Sequence, residues 1–231
     1  MTDGALRPEE SPVSVSETPP YRYGGVLALI LGSLAFQLAA PDQDWARLVT
    51  IALQGVTLLA ALVVSRVHPW VRRAARLVVV VSIGSSAGAL IGFGELGSTA
   101  ARSVNVLLVA LAPAAIARGV VVDIRRQRAV SLHAMFGVLC IYLLLGSLFA
   151  FVFGIVDDLQ STSFFAQHAA ASQKNLLYFS FVTITTVGYG DFTAATALGR
   201  SLAITEALIG QIYLVTVVAA IVGGLGARRR A

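Results

Sequence analysis

The chain has 231 residues, a length that would suit one or two soluble domains, but its composition is that of a membrane protein. Hydrophobic residues make up 57% of it and charged residues only 13%. These values exclude a disordered chain, a collagen-like chain, a secreted disulfide scaffold and a typical soluble enzyme. Cys140 is the single cysteine, so no intrachain disulfide forms, and we expect it to be a packed core thiol.

The N-terminal 22 residues are rich in Glu, Ser and Pro, which predicts a disordered cytoplasmic tail. A cleavable signal peptide is not expected, because PDQDW follows the first apolar run in place of small residues. Six apolar stretches of spanning length then follow. They are residues 24–41, 45–65, 76–94, 101–122, 132–156 and 200–224. We therefore predict an all-α membrane protein with six transmembrane helices.

Between the fifth and sixth stretches lies a shorter segment of intermediate hydrophobicity, LLYFSFVTITT. It is too short to cross a bilayer and is bounded by polar residues. Non-helical or half-length elements at membrane depth occur where protein or a water-filled cavity covers them. The sequence therefore predicts a re-entrant helix over residues 175–185.

Arginine and lysine residues fall mostly on one side of these helices, which sets the predicted orientation. Thirteen arginines belong to the side that holds both termini: Arg7, Arg22, Arg66, Arg72, Arg73, Arg76, Arg118, Arg125, Arg126, Arg128, Arg228, Arg229 and Arg230. The other side receives Arg47, Arg102, Lys174 and Arg200. We expect a multi-pass protein of the plasma membrane with cytoplasmic termini. The arginine clusters then favour anionic lipid headgroups over nucleic acid as partners.

One motif, T-T-V-G-Y-G-D at residues 185–191, is more specific than any of these patterns. It resembles the selectivity filter of the potassium-channel pore family, in which backbone carbonyls replace the water shell of the ion. The resemblance implies K⁺ as the permeant ion and no cofactor. The carbonyls of Thr186, Val187, Gly188 and Tyr189 and the Thr186 hydroxyl are the implied K⁺ ligands, and Gly190 completes the filter.

The residue types of the motif suit that role. Carbonyls that all point one way require unusual dihedrals at alternate positions, and Gly188 and Gly190 adopt these at little steric cost. The side chains of Val187 and Tyr189 are expected to point away and brace the strand. Asp191 follows at the outer mouth. Asp157 and Asp158, after the fifth helix, are expected to help concentrate cations there.

The resemblance also implies assembly, because a closed ring of ligands takes four filter strands and this chain has one. We therefore predict a C4 homotetramer. The predicted divisions are a cytoplasmic tail at 1–22, a four-helix transmembrane domain at 23–128, a pore domain at 129–226 and a basic cytoplasmic tail at 227–231. The pore domain comprises an outer helix, a pore helix whose C-terminus directs partial negative charge towards the pore axis, the filter and an inner helix.

Two residues of the inner helix are further candidates. Gly210 lies where the family often has a hinge glycine, although close helix packing explains a glycine there equally well. Glu206 is the one acid well inside an apolar span, and such acids are functional candidates. Pairing with a pore-helix hydroxyl such as Thr183 or Thr185 and a role in permeation explain it equally well, and we expect it to support the filter.

The sequence departs from the family pattern near the filter. Val182 stands where some bacterial members carry a buried Glu, and Tyr178 and Phe179 stand where paired tryptophans are frequent. The proline that often follows the filter is replaced by alanine. Selectivity is expected to survive these changes.

The first four helices lack the ladder of arginines that a voltage sensor needs, so ordinary voltage sensing is not expected. Arg102 and Arg118 stand near the two ends of the fourth helix, and Pro113 is expected to kink it. Gln37 and Gln54 are interpreted as contacts between helices. No enzyme motif is present, and the short stretch after the inner helix predicts no cytoplasmic regulatory domain.

Potassium-selective conduction is thus the leading hypothesis. The alternative is a non-conducting or regulatory membrane subunit that retains pore architecture. A secondary transporter is third, because the two halves of the chain show no internal repeat.

Overall fold

A computed structural model describes residues 22–41, 43–64, 73, 76–77, 79–80, 116–118 and 132–228. These residues form five principal helices, α1 (Arg22–Ala39), α2 (Asp44–Val64), α3 (Leu132–Leu159), α4 (Gln173–Ile184) and α5 (Ala197–Arg228). They correspond to the predicted first, second and fifth apolar helices, the re-entrant helix and the sixth apolar helix. The predicted tail, almost all of the predicted third and fourth helices with Arg102 and Pro113, and most of the arginine clusters lie outside the described residues.

The central element is α3, which packs against α1, α4 and α5. Within the described part of the chain, Met135–Leu159 is the helix that is long and apolar enough to cross a membrane. Shorter apolar stretches occur in α1, over Tyr23–Ala39, and in α2, over Ala52–Val64. The fold is therefore all-helical with one clear spanning helix, while the six-span topology remains a prediction from sequence.

Helices α1 and α2 pack together through apolar side chains and one polar pair. The Gln54 Nε2 group donates to Gln37 Oε1 at 3.5 Å, and Gln37 Nε2 donates to the Ser33 carbonyl at 3.1 Å. This confirms the interpretation of the two glutamines as contacts between helices. Cys140 is fully buried on α3, as expected of a packed thiol.

An aromatic cluster fixes the loop between α3 and α4 beneath the start of α5. Its members are Phe153, Phe164, Phe165, Phe179 and Phe192, with neighbouring ring centroids 4.8 to 5.7 Å apart. The same loop is paired with the segment before α5, since the Ala166 N–H donates to the Thr193 carbonyl and the Ala195 N–H to the Phe164 carbonyl, both at 2.8 Å. Residues 185–191 therefore run between two anchored points, the end of α4 and this paired segment.

Candidate ion-conduction site

The pore-helix candidate α4 has a defined start and end. Ser172 caps its N-terminus, with the Ser172 hydroxyl accepting a hydrogen bond from the Asn175 N–H at 3.3 Å. Thr185 caps the C-terminus. The helix thus covers Gln173–Ile184, and the predicted range of 175–185 agrees with it to within two residues at either end.

The chain leaves the helix through a tight turn. The carbonyl of Val182 accepts two backbone hydrogen bonds, from Val187 at 3.0 Å and from Gly188 at 3.3 Å, and the Thr186 N–H donates to the Thr183 carbonyl at 2.9 Å. These bonds satisfy carbonyls that the last turn of a helix otherwise leaves without a partner. They also fix where the motif begins relative to the helix end.

Three alternate residues of the motif have left-handed backbone. The φ angle is +59° at Thr186, +57° at Gly188 and +79° at Gly190. The two glycines thus have the dihedrals expected of them. Thr186 was not expected to share this conformation, which is costly for a β-branched residue and is the kind of strain found at functional sites. The alternation is the backbone pattern that a row of co-directed carbonyls requires.

Within one chain the motif is barely covered. Val187 is 52% exposed and Tyr189 is 71% exposed. Thr185, Thr186 and the residues up to Asp191 are exposed as well. The described residues of the same chain therefore do not provide the bracing expected of Val187 and Tyr189.

Helix α4 contacts the C-terminal end of the motif through Tyr178. Its hydroxyl donates to a carboxylate oxygen of Asp191 at 2.8 Å, and its ring lies edge-on to Phe192. This hydrogen bond to the carboxylate raises the pKa of Tyr178 above its ordinary value. Tyr178 thus holds Asp191 from a position where the family often has tryptophan.

The two acids that were predicted to follow the fifth helix lie in the last turn of α3, which extends to Leu159. Asp157 accepts a hydrogen bond from the Phe164 N–H at 2.9 Å and so helps to fix the loop. Asp158 is exposed. The expected role of the two in concentrating cations stays a prediction.

Three helices meet in a group that we call the carboxyl layer, formed by Gly146 of α3, Ser180 of α4 and Glu206 of α5. The Ser180 hydroxyl lies 2.6 Å from the Gly146 carbonyl oxygen and is also hydrogen-bonded to a carboxyl oxygen of Glu206. Ser180 and Glu206 are both fully buried. The partner of Glu206 is therefore Ser180, and neither Thr183 nor Thr185 serves that role in the described structure; the Thr185 hydroxyl donates to the carbonyl of Phe181.

One helical turn further along, the same helices meet again in a group that we call the tyrosine layer, formed by Tyr142, Ile184 and Gly210. The Tyr142 hydroxyl donates to the Ile184 carbonyl at 3.0 Å. A Cβ atom at Gly210 would lie 2.6 Å from both that carbonyl oxygen and the Ile184 Cγ1 atom. The inner helix therefore approaches the end of the pore helix more closely than any side chain permits, and packing is the role that the structure supports for Gly210.

Sequence reasoning missed Tyr142, Gly146 and Ser180. Ser180 was visible as a small hydroxyl residue between two phenylalanines, and Tyr142 and Gly146 are four apart, on one face of a helix. No sequence pattern, however, indicates which face of α3 meets α4. That information came only from the packed structure.

The described residues are helical and include a helix that is long and apolar enough to cross a membrane. Residues 137–225 match the protein family described as "Ion channel". A stretch of 46 residues is 50% identical to a protein of Methanocaldococcus jannaschii named "Probable potassium channel protein 2". That stretch is 19% of this chain and 13% of the archaeal protein, so the chain spans only a small part of that relative's length. No solved structure matches. Both matches are to channel proteins, and each covers less than half of this chain.

Proposed function

We propose that this chain is one subunit of a homotetrameric, potassium-selective channel. Residues 186–190 of four copies surround a single file of K⁺ ions, with the carbonyls of residues 186–189 and the Thr186 hydroxyl as ligands. Asp191 lies at the outer mouth. The channel is passive and consumes no cofactor.

The observation that carries the proposal is the left-handed backbone at three alternate positions of the motif, directly after a capped twelve-residue helix. A K⁺ ion is held by rings of backbone carbonyls, and such a ring needs a strand of this kind from each of four subunits. The exposure of Val187 and Tyr189 agrees with this assembly, because neighbouring copies then supply the missing cover. Exposed apolar side chains along α5, such as Ile204, Leu208 and Ile212, are further surface for neighbours or lipid.

The test uses purified protein in liposomes loaded with K⁺ or with Na⁺. We expect K⁺ to leave down its gradient while Na⁺ is retained, and native mass spectrometry to give four copies of the chain. Equal K⁺ and Na⁺ flux would overturn the selectivity. A tetramer that passes neither ion would favour a non-conducting subunit.

The remaining parts of the proposal concern the membrane. The proposed location is the plasma membrane. Cytoplasmic termini and contact between arginine clusters and anionic lipids are supported by the distribution of Arg and Lys along the sequence. Proteolysis of the N-terminal tail in sealed inside-out vesicles, but not in right-side-out vesicles, is the expected result for this orientation.

A further inference from the structure

The hydrogen bonds of the carboxyl layer require more protons than Ser180 can supply. Ser180 has one hydroxyl proton, yet its oxygen lies within hydrogen-bonding distance of two others, the Gly146 carbonyl oxygen and a Glu206 carboxyl oxygen. A carbonyl oxygen only accepts. If Glu206 were ionised, neither of these two oxygens would carry a proton. Both hydrogen bonds would then need a proton from Ser180, which has only one. The second proton must therefore come from Glu206.

The surroundings of Glu206 agree with this count. Its other carboxyl oxygen is buried and has no hydrogen-bond partner among the described residues. An ionised carboxylate in that position would leave a share of its charge buried without any donor, at a high energetic cost. The titratable side chain that faces it from α3 is Tyr142, whose hydroxyl already donates to Ile184. No described Lys or Arg side chain forms an ion pair with Glu206.

We infer that Glu206 is a neutral carboxylic acid that donates its proton to Ser180, which in turn donates to Gly146. This relay joins the inner helix, the pore helix and the outer helix by two hydrogen bonds in series. Ser180 is one turn before Ile184, after which the filter begins. Glu206 is therefore a positioning residue: it acts on the filter through α4 and touches no ion. The positioning role rests on the proposed function, whereas the protonation state does not.

The parallel register of α4 and α5 makes the relay specific. Ser180 and Ile184 of the pore helix meet Glu206 and Gly210 of the inner helix, so that two pairs with the same spacing of four residues face each other. If α5 were shifted along α4 by one turn, the Glu206 carboxyl group would lie against the Ile184 carbonyl. Gly210 would then no longer lie beside that carbonyl. The relay therefore forms in only one register of the inner helix α5 against the pore helix α4.

Infrared spectroscopy of the full chain in lipid tests the inference directly. At neutral pH we expect the carbonyl stretch of a protonated carboxylic acid in the wild type, shifted in heavy water, and absent from Glu206→Gln. Ser180→Ala should shift the band, because the acid loses its acceptor. The matched control is Asp158→Asn, which removes an exposed acid of α3 and should leave the band in place. Absence of the band from the wild type, or its persistence in Glu206→Gln, would overturn the inference.

Potassium flux tests the positioning role. A glutamine at position 206 still donates to Ser180, while alanine leaves the Ser180 oxygen without that donor. We expect Glu206→Ala to conduct about tenfold less than Glu206→Gln, in proportion to one lost buried hydrogen bond. Equal flux in the two variants would overturn the role. If the wild type conducts no K⁺ at all, the proposed function fails while the infrared result still decides the protonation state.

Discussion

The proposed pore helix α4 and the proposed filter strand, residues 185–191, are adjacent in sequence but differ in what holds them. Leu176, Ser180 and Ile184 of the helix are fully buried within their own chain, whereas Val187 and Tyr189 of the strand are 52% and 71% exposed. The helix has partners on α3 and α5 in two successive layers. The strand has a strained backbone and hydrogen bonds mainly at its ends. One chain is thus sufficient to cover the helix, whereas in the proposed assembly further copies cover the strand.

The largest expected effect comes from the strand. Gly188→Ala puts a side chain at φ +57°, where L residues pay about 1–2 kcal/mol. No atom lies within 4 Å of the new Cβ in the single chain, so the penalty is one of backbone conformation. We expect a folded protein whose K⁺ flux into liposomes is abolished, because one carbonyl of each strand turns out of line.

A matched control for this variant is Gly32→Ala. Gly32 also has open space around it, but it lies in α1 with ordinary helical backbone. Its replacement should leave the flux as in the wild type. If Gly188→Ala retains selective K⁺ flux, the carbonyl ring is not the conduction path.

The second effect concerns the helix side of the comparison. Gly210→Ala would place a Cβ 2.6 Å from the backbone oxygen of Ile184, which a flexible side chain cannot relieve. We expect the free energy of unfolding to fall by about 1–3 kcal/mol, as in other overpacked sites. Denaturant titration in detergent measures this change.

The same substitution separates packing from bending. Alanine in an unobstructed helix position raises stability by up to about 1 kcal/mol, so Gly32→Ala should change stability in the opposite direction to Gly210→Ala. If Gly210 were a hinge without close packing, Gly210→Ala would leave the free energy of unfolding unchanged and would alter the opening of the pore. That result would contradict the role as a contact glycine.

The two regions also differ in how far the sequence predicted them. The helices α1, α2, α3 and α5 follow from apolar runs, and α4 follows from its length between polar residues. The motif identified the left-handed glycines because a particular backbone requires them. Thr186 escaped notice, since a β-branched residue gives no sign that it will be held at positive φ.

The residues that contact the pore helix could not be predicted from the sequence for a different reason. Apolar patterns specify that α3, α4 and α5 are buried but not the rotation of each helix about its axis. Glu206 was identified as a buried acid, while its partner Ser180 depends on that rotation. The same holds for Tyr142, which is one aromatic residue among many until the Ile184 carbonyl is placed beside it.

The smallest expected effect lies at a side-chain hydrogen bond between the two regions, the bond from Tyr178 to Asp191. Tyr178→Phe keeps the ring beside Phe192 and removes the donor. We expect the ratio of K⁺ to Na⁺ flux to fall by less than about tenfold. Asp191→Asn is the matched variant, because its amide oxygen still accepts from Tyr178 and only the charge is lost. A fall in Tyr178→Phe but not in Asp191→Asn would assign the effect to the hydrogen bond, and a fall in Asp191→Asn alone would assign it to the charge. An unchanged ratio in Tyr178→Phe would show that the bond does not steady the strand.

The same bond gives the selectivity a dependence on pH with a definite sign. Asp191 raises the pKa of Tyr178 above its ordinary value of 10.0, so the neutral donor is the form that the folded channel favours. The stabilisation is complete below that ordinary value and is lost as the pH rises through the raised pKa. The flux ratio of the wild type should therefore decline on the alkaline side, whereas Tyr178→Phe should show no such decline because it has no proton to lose. An alkaline decline of equal size in Tyr178→Phe would place its origin in another group.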